Sequence, residues 1–515
     1  AMGSVGTRFG RNVPLDRTFP EPDPMILAPS PRLVSRELLT RDRFHPATTL
    51  NLLAAAWIQF EVHDWFSHGK GDRDTAWRLP LQEGDPWPED PMRIPRAKRD
   101  PSWADDGSAP TYTTADSHWW DGSQVYGSDA AFAAAIRANE GGKLRVGADG
   151  LPPRELDAAV DLSGVAGNFW VGLAILHALF MLEHNAICDR LHAVYPTWTD
   201  QQLYDKARLV NAALMAKIHT VEWTPAIIAH PTSQWAMRVS WWGLVGERAV
   251  RRFGRFGRSD LLTGIPGSTK DHHAVPYSLT EEFTAVYRLH PMIPDDFTFR
   301  SARDGRVLAQ HRFPDLGVAH VRQRMEEISL ADGFYSFGVA NPGAIQLHNY
   351  PRFLQQFERA DGTILDLAAT DILRIRERGV PRYNEFRRLF HRRAVGSFEE
   401  LTPDREWQGE LRRVYGDVEN VDLMVGLYAE PPPRGFGFSD TAFRVFALMA
   451  PRRLKSDRFF TTDYTPAMYT RVGLDWIDRN SLVSILRRHF PELEPRLRGV
   501  TNAFVPWTTD PGRTG

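Results

Sequence analysis

Three stretches of the chain gather residue types that do chemistry. In Gln59-Phe-Glu-Val-His63-Asp64 a glutamine and a histidine stand four residues apart. On a helix their amide and imidazole share one face. A hydrogen-bonded core histidine beside a surface glutamine fits the same pair. In Ser117-His-Trp-Trp-Asp121-Gly-Ser123 the oxygen ligands Ser117, Asp121 and Ser123 alternate around a glycine. With backbone carbonyls they suit a hard cation such as calcium. The spacing is not that of an EF-hand, and an Asp/Ser turn explains the segment equally well. In Tyr287-Arg-Leu-His290-Pro291 a histidine closes an apolar helical pattern, with a phenol one turn earlier on the same side. Such a histidine could ligate an iron whose other face belongs to His63, with Tyr287 close enough for electron transfer. A core tyrosine and a helix-ending histidine before proline are the alternative.

The elements that must position these residues are mostly helical. Apolar residues recur at helical spacing from Thr48 to His68, with Pro46 and Thr48 marking the start. Strong helical patterns run over 165–194, 200–229 and 279–289, and return near 342–360, 367–377, 383–392, 440–455 and 480–489. Residues 69–115, dense in Pro, Asp and Trp, read as a long wrapping loop, with membrane contact as the alternative. Residues 291–340 are mixed, and alternating strand patterns are scarce. The expectation is a mainly α protein with few short strands and one large domain over 46–505. An extended arm (1–45, opening on a cloning remnant at 1–4) precedes it, and a tail (506–515) follows.

Composition narrows the function classes. The 515 residues carry 62 basic and 64 acidic side chains, a net charge of −2, so no overall field favours nucleic acid or an anionic membrane. Only seven of the basic residues are lysine. The arginine-rich RRFGRFGR run (251–258) has no recognition module beside it and reads as a solvated loop. One cysteine, Cys188, excludes an intramolecular disulfide. The longest apolar stretch, Phe169 to Leu182, contains His177 and is shorter than the ~18 residues that span a bilayer. A cytoplasmic or membrane-peripheral monomer without signal peptide is expected.

Taken together, the motifs resemble the animal-type haem peroxidase and cyclooxygenase superfamily, closest to the fatty-acid α-dioxygenases, over about residues 50–505. The resemblance implies a large helical cyclooxygenase-like fold. It makes Gln59 and His63 the distal haem residues, His290 the proximal ligand and Asn349 the partner of its imidazole. Asp64, Ser117, Trp119 (by its carbonyl), Asp121 and Ser123 become calcium ligands. Leu176–Asp189 is similar to the family's central helix, and Arg378-Gly-Val-Pro-Arg-Tyr383-Asn384 to a family signature.

Departures select the branch. The classical peroxidases' arginine and haem-linking carboxylate are replaced by Ala166 and Phe169, so the haem b is expected to be non-covalent. Tyr287, absent from classical peroxidases, favours the oxygenases, and the cysteine-rich module of cyclooxygenases is missing. Ala216–Thr224 and Pro451–Thr462 resemble the α-dioxygenase segments that hold a fatty-acid carboxylate. They imply His219, Thr224 and Arg458 as its partners, with Arg452 and Arg453 as rivals. A buried anion needs charge-assisted bonds, which an arginine and a protonated histidine would supply. The implied reaction inserts O2 at C2 of a long-chain fatty acid. A hydroperoxide activates the haem, and a Tyr287 radical abstracts the hydrogen. The alternatives are a peroxidase acting on small substrates with H2O2 and a mid-chain dioxygenase.

Overall fold

The computed structural model describes residues 2–69, 71–154, 161–163, 169–255, 257–269, 278–317, 320–358 and 362–508, except the side chains of residues 63, 64, 72 and 73. Ala166 lies outside these residues. The architecture is helical, and the described strands form three two-stranded antiparallel ribbons: 72–79 with 92–96, 296–300 with 307–312, and 357–358 with 364–365.

At the centre is the helix Val171–Val194, buried at every position from Val171 to Met181. By length and hydropathy it could cross a membrane, but 83% of its most apolar window is covered by the protein itself. Its apolar character is therefore accounted for by core packing. The helix Asp200–Ile218 lies beside it. A capping box, in which Thr199 and Gln202 satisfy each other's backbone N–H groups, starts that helix. Asn211 Nδ2 joins the pair by donating to Phe180 O at 3.0 Å. The helix Pro466–Arg479 closes over Asp200–Ile218 at Gly473, where an added Cβ would lie 2.6 Å from Val210 Cγ2. Across the central helix packs Leu52–Trp65, which carries Gln59, His63 and Asp64 on its backbone.

Several expectations change. Residues 69–115 contain the hairpin Asp72–Leu79/Met92–Arg96, pairing Trp77 with Ile94. Glu377 pins it, accepting from Trp77 Nε1 and Ala97 N, each at 3.0 Å. The described residues of 342–360 form a 3-10 turn, Arg352–Gln356, and the short strand 357–358 rather than an α-helix. Pro342 and Pro351 supply no N–H and bar their preceding residues from helix, which defeats the apolar period. Arg255 of the arginine run is not solvated, since its Nη1 holds Trp241 O and Thr263 O at 2.7 Å. Beyond residue 505 the chain still packs: Trp507 is buried and donates its indole N–H to Ala503 O.

The N-terminal arm is part of the body. Short helical turns at Pro31–Val34 and Ser35–Leu39 lead to Arg41, which is fully buried. Its guanidinium gathers the carbonyls of Pro291 and Ile293 at 3.0 Å and of Asn349, and reaches Asp295 at 2.7 Å. It thereby fixes the turn that follows His290. Removing one member of such a buried network strands the others without partners. Arg41→Leu should lower unfolding stability by roughly 3–5 kcal/mol, read as a lower denaturant midpoint at unchanged slope.

Candidate active site

Helix Glu281–Val286 starts at Thr280, whose hydroxyl accepts from Phe283 N at 3.1 Å. It ends before Tyr287 because Pro291 offers no N–H to continue the ladder. Glu281–Val286 and Pro291–Met292 are buried, whereas Tyr287 to His290 between them are only partly covered. These four residues line internal space. His290 Nδ1 lies 2.9 Å from Oδ2 of Asp371, on the helix Leu367–Glu377. Asp371 also receives the Tyr350 hydroxyl at 3.2 Å and stands 3.2 Å from Arg288 Nη1. Burial works to raise its carboxyl, but Arg288, then His290 and the hydrogen bonds, hold it below its ordinary value. A carboxylate against Nδ1 keeps the ring proton there and leaves the Nε2 lone pair for a metal.

Asn349 is not the partner of this ring. Its Oδ1 accepts from Arg41 Nε and His45 N, and its Nδ2 donates to His45 O and Ala344 O. Both ends of the amide are taken by the scaffold, and Asp371 fills the place expected for it. A carboxylate three residues before the motif arginine Arg374, on a helix reaching the Arg378–Asn384 signature, was the sequence signal.

On the other side, Gln59 and Val62 are the only incompletely buried described side chains of the helix Leu52–Trp65. Gln59 Oε1 accepts from Trp170 Nε1 at 2.8 Å, which turns the amide NH2 outward. His63 falls on the same stripe one turn later. Its side chain, like that of Asp64, lies outside the described residues. The stripe continues to Phe66, whose ring is 5.9 Å from that of Tyr287. A partly uncovered stripe that reaches Tyr287, three residues before His290, fits a haem held by that histidine. Phe169 is buried at the edge and offers no carboxylate for an ester link.

Next to Tyr287 lies a narrow cavity of about 20 Å3, lined by Trp65, Trp120, His219, Phe283, Tyr287 and Arg453 among others. Here the expected arginine changes. Arg458 is 70% exposed and pairs with Asp463 at 3.3 Å. Arg453, from the helix Asp440–Ser456, is buried. Its guanidinium lies 3.7 Å from the Trp65 ring and 4.6 Å from that of Trp120, and Nη2 donates to His118 O at 2.8 Å. Arg453 lies in the last turn of that helix, whereas Arg458 falls beyond its C-cap Asp457, in the turn that follows.

His219 begins a π-helical turn, His219–Trp223, where Pro225 withholds the N–H that would continue the α-helix. Trp57 Nε1 donates to its Nδ1 at 3.2 Å, so the ring proton sits on Nε2. Burial foremost, then Arg453, pushes the imidazole down to about 3. The expected protonated histidine is a neutral N–H donor, and the positive charge belongs to Arg453. Thr224 stands on the cavity wall, its hydroxyl donating to His219 O at 2.9 Å. Burial holds the Tyr287 phenol far above its ordinary value. Trp65 and Trp120 were missed in the sequence, although each adjoins a residue already singled out.

The oxygen-rich loop is tied to this cavity. Ser117 Oγ accepts from Trp119 N at 3.1 Å, and Asp121 Oδ1 from Ser123 N and Oγ at 3.1 and 2.8 Å. Between them, His118 holds Arg453 by its carbonyl and accepts from Leu279 N at 3.1 Å. The loop thus joins Arg453 to the segment that leads into the Tyr287 helix.

Fold and site define a helical haem oxidoreductase, and the chain belongs to the animal haem peroxidase family, which matches residues 1–501. Within it, the chain belongs with the alpha-dioxygenases. Alpha-dioxygenase PIOX of Oryza sativa subsp. japonica is 38% identical over 99% of this chain and 84% of its own length. Alpha-dioxygenase 2 of Arabidopsis thaliana is 37% identical over 99% and 82%. The crystal structure of Oryza sativa fatty acid alpha-dioxygenase superposes with a TM-score of 0.92 at 37% identity, covering 99% of this chain and 85% of that one. Another records a tyrosine-to-phenylalanine variant of that enzyme with palmitic acid.

Asp371→Ala should weaken haem binding or turnover roughly 10- to 100-fold and raise the ferric–ferrous potential. A Soret titration and a redox titration measure the two. Unchanged values in both would return the proximal contact to another residue.

Proposed function

We propose that this protein is a fatty-acid α-dioxygenase that inserts O2 at C2 of a long-chain acid and forms the 2-hydroperoxide. His290 would hold the haem, which, with a hydroperoxide as oxidant, would supply the one-electron oxidation. Tyr287 gives up its electron and proton and becomes a radical. The radical takes hydrogen from C2, O2 adds to that carbon, and the peroxyl product regains hydrogen from Tyr287. Substrate plus O2 thus balances the 2-hydroperoxy acid, with the tyrosyl radical restored. His63 moves the proton of the activating hydroperoxide, and Gln59 orients it through its outward NH2.

Selection of C2 follows from holding the acid by its head. Arg453 supplies the charge, the His219 Nε2–H a second donor, and Thr224 a hydroxyl that can turn from His219 O. The observation that carries this reading is Arg453, buried between two indoles on the same cavity wall as Tyr287. A guanidinium on the same wall as the phenol can hold a carboxylate by charge-assisted hydrogen bonds, and proximity then sets the site of attack. Each methylene buried behind the head contributes about 0.8 kcal/mol before ordering costs, so long chains bind best. Calcium, held by Asp64, Ser117, the Trp119 carbonyl, Asp121 and Ser123, would stiffen the loop whose His118 carbonyl orients Arg453. The oxygen-donor chemistry of that loop supports it.

Two substitutions test the reading. Tyr287→Phe should drop palmitate-dependent O2 uptake to background while hydroperoxide consumption persists. Persistent uptake would remove Tyr287 from the chemistry. Arg453→Met gives up a charged hydrogen bond worth roughly 1.5–3 kcal/mol and should weaken palmitate binding about 10- to 100-fold. Arg458→Ala should leave that binding unchanged.

A further inference from the structure

Residues 231–263 build a surface that the reaction does not use. The helices Pro231–Trp242, Gly246–Phe253 and Asp260–Thr263 pack together as one unit. Main-chain bonds from Leu244 N to Leu261 O at 2.9 Å and from Val245 N to Leu262 O at 3.2 Å set two aliphatic pairs side by side. Gly243 allows the approach: its φ is +66°, and a Cβ there would stand 2.1 Å from Leu262 O. The Arg255 guanidinium braces the unit from behind, binding Trp241 O, Thr263 O and Asp478.

This rigid unit presents large apolar side chains to solvent. Trp235 is 58% exposed, Phe253 66%, Leu261 58% and Leu262 51%, with Leu244 beside them. Single exposed apolar residues are ordinary, but a concentration of them on one unit marks a contact surface. The charge there is predominantly positive. From 231 to 263 the chain holds six arginines against Glu247 and Asp260. Glu247 is taken by Arg238 and Arg251 at 3.2 and 2.6 Å, and Asp260 by Lys455 at 3.0 Å. Arg248, Arg252 and Arg258 are exposed. A second copy of the chain would bring this basic face against itself. An anionic lipid surface meets both features, taking the aromatic and aliphatic side chains at its interface and the guanidinium groups at its phosphates. The unit also reaches the active site. Met237 and Ser240, on the helix that exposes Trp235 and Arg238, line the cavity with Tyr287 and Arg453.

We propose that the face formed by residues 231–263 docks on a bilayer carrying anionic phospholipid, so that fatty acid passes from lipid into the cavity beside Met237. The delivery step rests on the α-dioxygenase reading, whereas the docking does not.

The test is sedimentation of the holoenzyme with phosphatidylcholine vesicles, with and without phosphatidylglycerol. Each arginine near an anionic surface is worth on the order of a fivefold gain, so the anionic vesicles should bind at least about tenfold more protein. The variant Trp235→Ser/Phe253→Ser/Leu261→Ser/Leu262→Ser should stay in the supernatant while O2 uptake with dispersed fatty acid is kept. Arg252→Glu/Arg258→Glu, which leaves the apolar face whole, should lose the preference for anionic vesicles. The proposal is overturned if wild type ignores both vesicles, if the apolar variant sediments like wild type, or if ultracentrifugation shows a dimer that this variant abolishes. Failure of the α-dioxygenase reading would show separately, as absent O2 uptake by wild type with palmitate, with or without vesicles.

Discussion

Arg453 carries a full charge in a place where water cannot serve it. Two indole faces and the His118 carbonyl receive part of its field, and the buried carboxyls of Glu61 and Asp457 also stand within it. Charge in such surroundings is tolerated when a counter-charge completes it. In the proposed reading a substrate carboxylate shares that field, with its neighbouring carbon against the wall where Tyr287 stands. The same charge shapes its surroundings, because it joins burial in keeping His219 neutral. Trp57 then fixes which imidazole nitrogen bears the proton. Head recognition and radical placement are two results of one desolvated guanidinium.

Much of the fold serves to hold that guanidinium and the proximal histidine in register. Trp65 comes from the helix bearing Gln59 and His63, and Trp120 from the oxygen-rich loop. The loop is fastened through His118 to the segment that opens the Tyr287 helix. On the proximal side Arg41 gathers the turn after His290, and Asn349 ties Arg41 to His45 and Ala344. Asp371 is thereby presented with a ring that has little room to turn. The N-terminal arm is as much a part of this scaffold as the central helix.

Local signals carried a large share of this architecture. Long amphipathic or wholly apolar runs specified the helices Leu52–Trp65, Val171–Val194 and Asp200–Ile218, since period and caps act within a few residues. Tyr287 and His290 were legible by residue type, although the helix expected to carry both ends at Val286. What escaped depends on contacts between distant segments. Nothing near Arg453 or Arg458 states which one faces inward, because Pro451 and the helix end set the phase. Asn349 and Asp371 both suit an imidazole by type, and only Arg41, more than 300 residues before Asn349, takes the amide away. The hairpin at 72–96 was hidden because its anchor, Glu377, lies on a remote helix. The π-turn at His219 follows from Pro225, a signal present in the sequence whose effect on the cavity is tertiary.

The most direct measurement is a crystal structure of the haem-loaded Tyr287→Phe variant with palmitate bound. The account predicts the carboxylate oxygens within hydrogen-bonding distance of the Arg453 guanidinium and of His219 Nε2, and C2 as the carbon nearest residue 287. A carboxylate seated on Arg458, or a chain inserted methyl end first, would contradict it.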